Sequence, residues 1–335
     1  MRLYFLKLIS VFILIFTPMK RYILLSLAVL IMKSSSGQAI PRFNPDTLLT
    51  VVIDSVVVIK TAKGGLNADV FIERILNDTS FYEAFRNMKK YQFIAENSIY
   101  TYDKNDKVNG SIYSKIRHTD SGGNYKMEYL DKKETGKLHK KNGKYNLLTV
   151  QMFDYIFMNA YNSDFVPAAE NSSSKKAKFG SNEFYKDKLK TLIFTPGRPI
   201  KGVPIISGKT EIFTPNMRQY YDYAYSSGTY LDSIPVYRFK VTEKKDLSGW
   251  TKSGIMIKEL TTIFDKRNFQ ILGRYIDMKL DNVAFSFDVQ MNIEMAYVKE
   301  DLLPTKISYQ GNWDIPFKKE ERASFLVLHK GYRSR

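Results

Sequence analysis

From Phe285 to Tyr297 every second residue is apolar (Phe285, Phe287, Val289, Met291, Ile293, Met295, Tyr297), and all but one of the residues between them are polar. Alternation of this kind is the period of a β-strand with one apolar and one polar face. Thirteen residues at about 3.3 Å each run roughly 43 Å, about twice an ordinary strand. Something has to cover so long an apolar face, and the choices are the protein's own core, a bound lipid or a membrane. The polar face is expected in solvent.

Shorter runs of the same character surround it. Strands are predicted over 91–103, 108–120, 124–131 and 136–148, with turn residues at 104–106, 121–123 and Asn142-Gly143, the last a strong hairpin signal. Further strands are predicted over 208–213, 218–227, 234–243, 253–265, 269–281, 283–298, 302–314 and 322–332, with Asp281-Asn282 as a two-residue reversal. Short joins of this kind pair consecutive strands antiparallel. Four segments read as helices instead. Asn67 caps 68–76, Ser80 with Glu83 forms a capping-box pattern ahead of 81–91, 149–165 carries Val150, Phe153, Ile156, Phe157 and Ala160 on one side, and 182–194 ends at Pro196-Gly197.

The organisation that follows is a leader over 1–39, an extended segment over 40–66, helices and antiparallel strands over 67–164, a small and polar loop over 165–182, and a helix with a long β-meander over 183–335. The 91–148 strands are expected to join the meander in one sheet. Within the leader, the run from Met19 has a basic start, an apolar stretch and small residues before a cut between Ala39 and Ile40. We therefore expect Met19 to be the true start and the chain to be exported to a periplasm or to the periplasmic face of an outer membrane. An uncleaved anchor is the other reading of this segment.

With no cysteine, the chain has no lipobox-type acylation site, disulfide framework or thiol nucleophile. Its formal charge of +17 falls to +12 without the five basic residues of 1–39, a segment that holds no acidic ones. Export argues against nucleic acid as the partner, leaving an anionic membrane surface or plain solvated lysines. No catalytic constellation is present. His118, His139 and His329 lie far apart in sequence with no metal-ligand spacing, and there is no nucleophile elbow or phosphate loop. Asp103 to Gly110 departs from a calcium loop at Lys107 and Val108. Carboxylates such as Asp288, Glu294, Asp277 and Asp281 are expected to pair across strands with Lys279 or Arg274. No metal, cofactor or enzyme activity is expected.

Two features suggest binding. Tyr221, Tyr223 and Tyr225 share one strand face, offering flat bodies with hydrogen-bonding tips that also suit an ordinary strand interior. The other is the long apolar strand. An outer-membrane barrel would use such strands, but helices interrupt the pattern at several places, which favours a curved sheet wrapped over helices.

Residues 205–330, and in particular "IPVYRFKVTEKK", "FDKRNFQI", the paired strands up to Val298 and "LLPTKISYQGNW", resemble the C-terminal sheet of the LolA-like, outer-membrane lipoprotein-sorting superfamily. The resemblance implies an unclosed barrel with helices as a lid over an apolar cavity, and carriers of that superfamily hold acyl chains there. The expected fold is thus α+β and predominantly β, a long curved antiparallel half-barrel with a few helices on its concave face. The expected site is an apolar concavity between Phe153, Ile156 and Phe157 on one side and Phe287, Val289, Met291, Ile293 and Met295 on the other, with Tyr221, Tyr223 and Tyr225 nearby. An acyl lipid or lipoprotein would be its partner. A structural or interaction module with a self-filled core is the rival reading, and the sequence specifies no oligomeric state.

Overall fold

In the computed structural model the described residues are 51–58, 67–121, 124–154, 157, 192–200, 208–282, 285–314 and 319–334. The predicted leader, the 165–182 loop and most of the helices predicted over 149–165 and 182–194 lie outside them. Eleven strands form one antiparallel sheet: β1 (Val51–Val58), β2 (Tyr91–Tyr102), β3 (Val108–Ser121), β4 (Asn124–Thr135), β5 (Tyr221–Tyr230), β6 (Ile234–Glu243), β7 (Ile257–Asp265), β8 (Ile271–Asn282), β9 (Phe285–Val298), β10 (Asp301–Asp314) and β11 (Glu321–Ser334). Their order is β1-β5-β6-β7-β8-β9-β10-β11-β2-β3-β4. The edges β1 and β4 do not pair with each other, so the sheet is not closed, as expected for an unclosed half-barrel. The C-terminal strand β11 pairs with β2 from Arg322↔Tyr102 to Ser334↔Tyr91, which brings the 91–135 strands and the meander into one sheet.

The register puts one continuous apolar layer on a single face. Met291 sits between Ile276 of β8 and Tyr309 of β10, and Tyr309 sits beside Phe325 of β11. Short helices cover this face. In α1 (Ala68–Asn77), Ala68, Phe71, Ile72 and Ile75 are buried at helical spacing, and Asn67 accepts from the Val70 N–H at 3.1 Å. The next helix, α2 (Ser80–Asn87), buries Phe81, Ala84 and Phe85 and lies against β10 and β8. Its predicted capping box does not form. Asp78 takes that role, accepting from the Phe81 N–H at 2.9 Å and from the Ser80 hydroxyl at 2.6 Å. A third, α3 (Leu148–Phe153), is held at its start by Glu321, which accepts from the Leu148 and Thr149 N–H groups, both at 2.8 Å.

Several sequence expectations are corrected. Residues 136–148 form no strand, because the turn at Lys140 to Lys144, with Gly143 at φ 77°, closes a single His139↔Tyr145 bridge. Residues 208–213 are turns, with Gly208 at φ 81° and the Glu211 N–H donating to the Gly208 carbonyl. Asp281 and Asn282 are not a reversal: they stay in the ladder opposite Ser286 and Phe285. Pro304 is tolerated inside β10 because the ladder shifts register between Pro304 and Lys306.

The largest correction concerns the polar face of β9. Gln290, Asn292 and Glu294 are buried, so this face does not lie in solvent. Lateral pairing makes the burial tolerable. Asn292 donates to Glu294 Oε1 at 2.8 Å, Lys306 reaches the same oxygen at 3.0 Å, and Gln290 lies opposite Asp277 across the ladder.

Candidate functional site

Of the residues expected to line an apolar concavity, Phe153, Phe157, Phe287, Val289, Met291, Ile293, Met295 and Tyr221 are all buried in one cluster. Tyr223 and Tyr225 are half-buried against that cluster, and Ile156 lies outside the described residues. The rings sort into two groups. In the first, Phe153 stacks on Phe325 at 4.0 Å and lies 4.9 Å from Phe157, while Phe325 stacks on Tyr309 at 5.0 Å. Tyr309 is the β10 neighbour of Met291, so the structure joins the helix-side and strand-side predictions at this point. A Cβ at Gly311 would collide with the Tyr309 hydroxyl, to which Trp313 Nε1 donates at 2.6 Å, so the glycine makes room for the ring. Trp313 in turn stacks on Phe287 at 5.0 Å.

The tyrosines belong to the second group. Phe71 of α1 stacks on Phe239 at 4.8 Å and lies 5.5 Å from both Tyr225 and Phe264. The Tyr221 hydroxyl donates to the Ile257 carbonyl at 2.9 Å and Tyr223 to the Ile212 carbonyl at 3.2 Å, so their polar tips serve the backbone. Burial drives the hydroxyl pKa of Tyr223 up to about 12, with Arg218 pulling the other way.

The expected pairing of Arg274 with a carboxylate is corrected. Its position in the series Leu272, Arg274, Ile276, Met278 puts it on the helix-covered apolar face, a parity that was readable. It pairs with no carboxylate of β9. Instead, Nη1 donates to the Ile193 and Phe194 carbonyls at 3.1 and 3.2 Å, and the guanidinium lies 4.3 Å over the Phe81 ring. Burial lowers its pKa to about 10. Arg274 thus ties the sheet to α2 and to 192–194, whose Phe194 lies 5.2 Å from Phe85. The expected pairing of Lys279 with Asp288 does occur, at 3.3 Å, and Glu294 takes Lys306.

His118 and His329, distant in sequence, flank one ring. His118 stacks on Phe93 at 4.4 Å, and His329 meets the same ring edge-on at 5.4 Å. Burial lowers His118 to about 3, with His329 adding to the effect, and lowers His329 to about 4 against the Pro304 carbonyl. Among the described residues no group of three His, Asp or Glu could hold a metal ion. No helix among them is long and apolar enough to cross a membrane.

No family model matches the chain, and no curated protein does. A solved structure, that of a DUF1329 family protein from Desulfovibrio piger, aligns over 76% of this chain and 91% of its own at 12% identity and a TM-score of 0.22. A likeness that low carries neither fold nor function across.

Proposed function

We propose that the protein is a non-enzymatic, exported envelope protein that takes an acyl chain or lipidated partner between the apolar face of its open sheet and the helices covering it. The observation behind this reading is the cover itself. The apolar layer crosses β5 to β11, and among the described helices α1 and α2, of ten and eight residues, lie on it, α1 with Phe71 on Phe239, while Phe153 at the end of the described part of α3 stacks on Phe325. Helices this short depend on tertiary packing, and an acyl chain can replace that packing at about 0.8 kcal/mol per buried CH₂. The self-filled core is favoured by a different observation, the tight stacking of Phe153 on Phe325. A fluorescent fatty-acyl probe titrated into delipidated protein separates the two. Saturable binding that shifts to longer chains in Phe157→Ala is expected for the carrier. No binding by folded wild type, with a loss of about 3–5 kcal/mol in the mutant, would leave the self-filled module. Export is tested apart from this, by an intact mass that begins at Ile40.

A further inference from the structure

At one end of the sheet, the ends of β2 and β3, the 136–148 segment and the start of β11 enclose a pocket of about 830 Å³. Its floor is apolar, made by Leu138, Leu147 and Leu148. Its wall holds the cations Lys137, Lys140, Lys319 and Arg322 against the carboxylates Glu320 and Glu321. Both carboxylates are already committed. Glu321 accepts the two α3 N–H groups and the Thr149 hydroxyl, the last at 2.6 Å, and Glu320 accepts from Arg322 Nε at 2.9 Å.

The lysines differ from their neighbours on the sheet. Lys115, Lys132 and Lys133 each face a carboxylate within 3.4 Å. Lys137, Lys140 and Lys319 pair with no carboxylate among the described residues. Three ammonium groups around one concavity raise its potential, which an anion relieves. Asn109 Oδ1 accepts from the Thr101 hydroxyl and Asn146 Nδ2 donates to the Lys137 carbonyl, both at 2.6 Å, which leaves the other end of each amide to suit a hydroxyl.

We propose that this pocket binds the phosphate of a small phosphorylated polyol, with the lysines on the phosphate, the asparagines near the hydroxyls and the leucines beneath the carbon skeleton. The volume falls in the usual range for small-ligand sites and exceeds what a bare phosphate fills. The pocket touches the first turns of α3, but its lysines and asparagines take no part in the acyl reading, so each can fail without the other. A free phosphorylated polyol and a glycerophosphate lipid head group present the same chemistry.

The test is calorimetric titration of the full chain with glycerol 3-phosphate at low salt. One saturable site is expected. The Lys137→Gln/Lys140→Gln/Lys319→Gln chain should bind at least about tenfold more weakly, the scale of one lost charge-assisted contact. Lys126→Gln/Lys133→Gln, on the exposed edge strand, should match wild type. Glu320→Gln, which removes negative charge from the wall, should bind more tightly. Sedimentation with phosphatidylglycerol but not phosphatidylcholine vesicles, lost in the triple variant, would assign the lipid source, and glycerol 3-phosphate binding without sedimentation would assign the free one. No saturable binding by wild type would overturn the proposal, as would equal weakening in both lysine variants or weaker binding by Glu320→Gln.

Discussion

Strands β9 and β4 lie in the same sheet and share the same backbone geometry, yet they have opposite fates. β9 is paired on both sides, and from Phe287 to Met295 all of its residues but Asp288 are buried. Among the described strands β4 pairs with β3 alone, and from Lys126 to Thr135 every residue except the half-buried Asp131 is exposed. Alternation determines which way a side chain points. How much water it keeps depends on its neighbours. On β4 the charges stay wet and pair loosely, Lys132 with Glu134 at 3.0 Å and Lys133 with Asp131 at 3.2 Å, which also suits an edge that must not recruit another chain. On β9 the polar residues are dry, and they are tolerable only because they bond one another.

The sharpest way to break the contrast is to put a charge on either face of β9. Met291→Asp sets an ion in the apolar layer beside Tyr309 and Ile276, and we expect a loss of several kcal/mol, close to the whole stability of an ordinary domain. Asn292→Asp is more informative. A solvent-facing position would lose less than about 0.5 kcal/mol. Here the substitution removes the donor to Glu294 and sets a second carboxylate beside it, so we expect a loss of about 2–4 kcal/mol. Urea melts measure both. A harmless Asn292→Asp would mean that water reaches this face after all.

That difference shows what was legible in the sequence. The alternation of β9 and β10 and the helical spacing of Phe71 and Ile75 report local geometry, and they gave nearly all the strands, the capped α1 and the apolar layer. The burial of Asn292 was hidden, because it depends on Glu294 together with Lys306, which joins only through the β9–β10 register. The same holds for Glu321, whose carboxylate closes the start of α3 from 172 residues away. Asn142-Gly143 misled for another reason: its turn forms, but with a bridge rather than strands on either side. Arg274 shares the parity of Ile276 and Met278, so its place on the apolar face is legible, while its partners, the Ile193 and Phe194 carbonyls 81 and 80 residues away, are not.

The boundary between the two regimes runs between β3 and β4, and pH can locate it. His118 is buried on β3, while Met127, its partner in the register, is exposed on β4. With folded pKa values lowered to about 3 for His118 and about 4 for His329, both rings stay neutral in the fold and take up protons near pH 6.5 when it opens. Their contribution is full above that value and is lost as pH falls toward 4 and then 3. Between pH 6.5 and 5.5 we expect stability to drop by about 1 kcal/mol per histidine, with His118→Phe halving the slope. A slope of half this size that His118→Phe leaves unchanged would place His118 in water, on the β4 side of the boundary.

The smallest effect belongs to the edge itself. Arg117 Nη1 and Glu128 Oε2 lie 2.8 Å apart across β3 and β4, but both side chains keep about half or more of their exposure, at 48% and 61%. Water competes for both charges, and holding two long side chains in one geometry costs entropy, so the distance overstates the bond. Glu128→Gln keeps the side-chain shape and one hydrogen-bond acceptor while removing the charge. We expect it to cost less than about 0.5 kcal/mol, and less still at high salt, where the Debye length falls to about 3 Å. Urea melts at low and high salt check this. A loss above about 1 kcal/mol that survived salt would mean that β4 is shielded as β9 is, and that pairing with one neighbour is enough to dry a strand in this sheet.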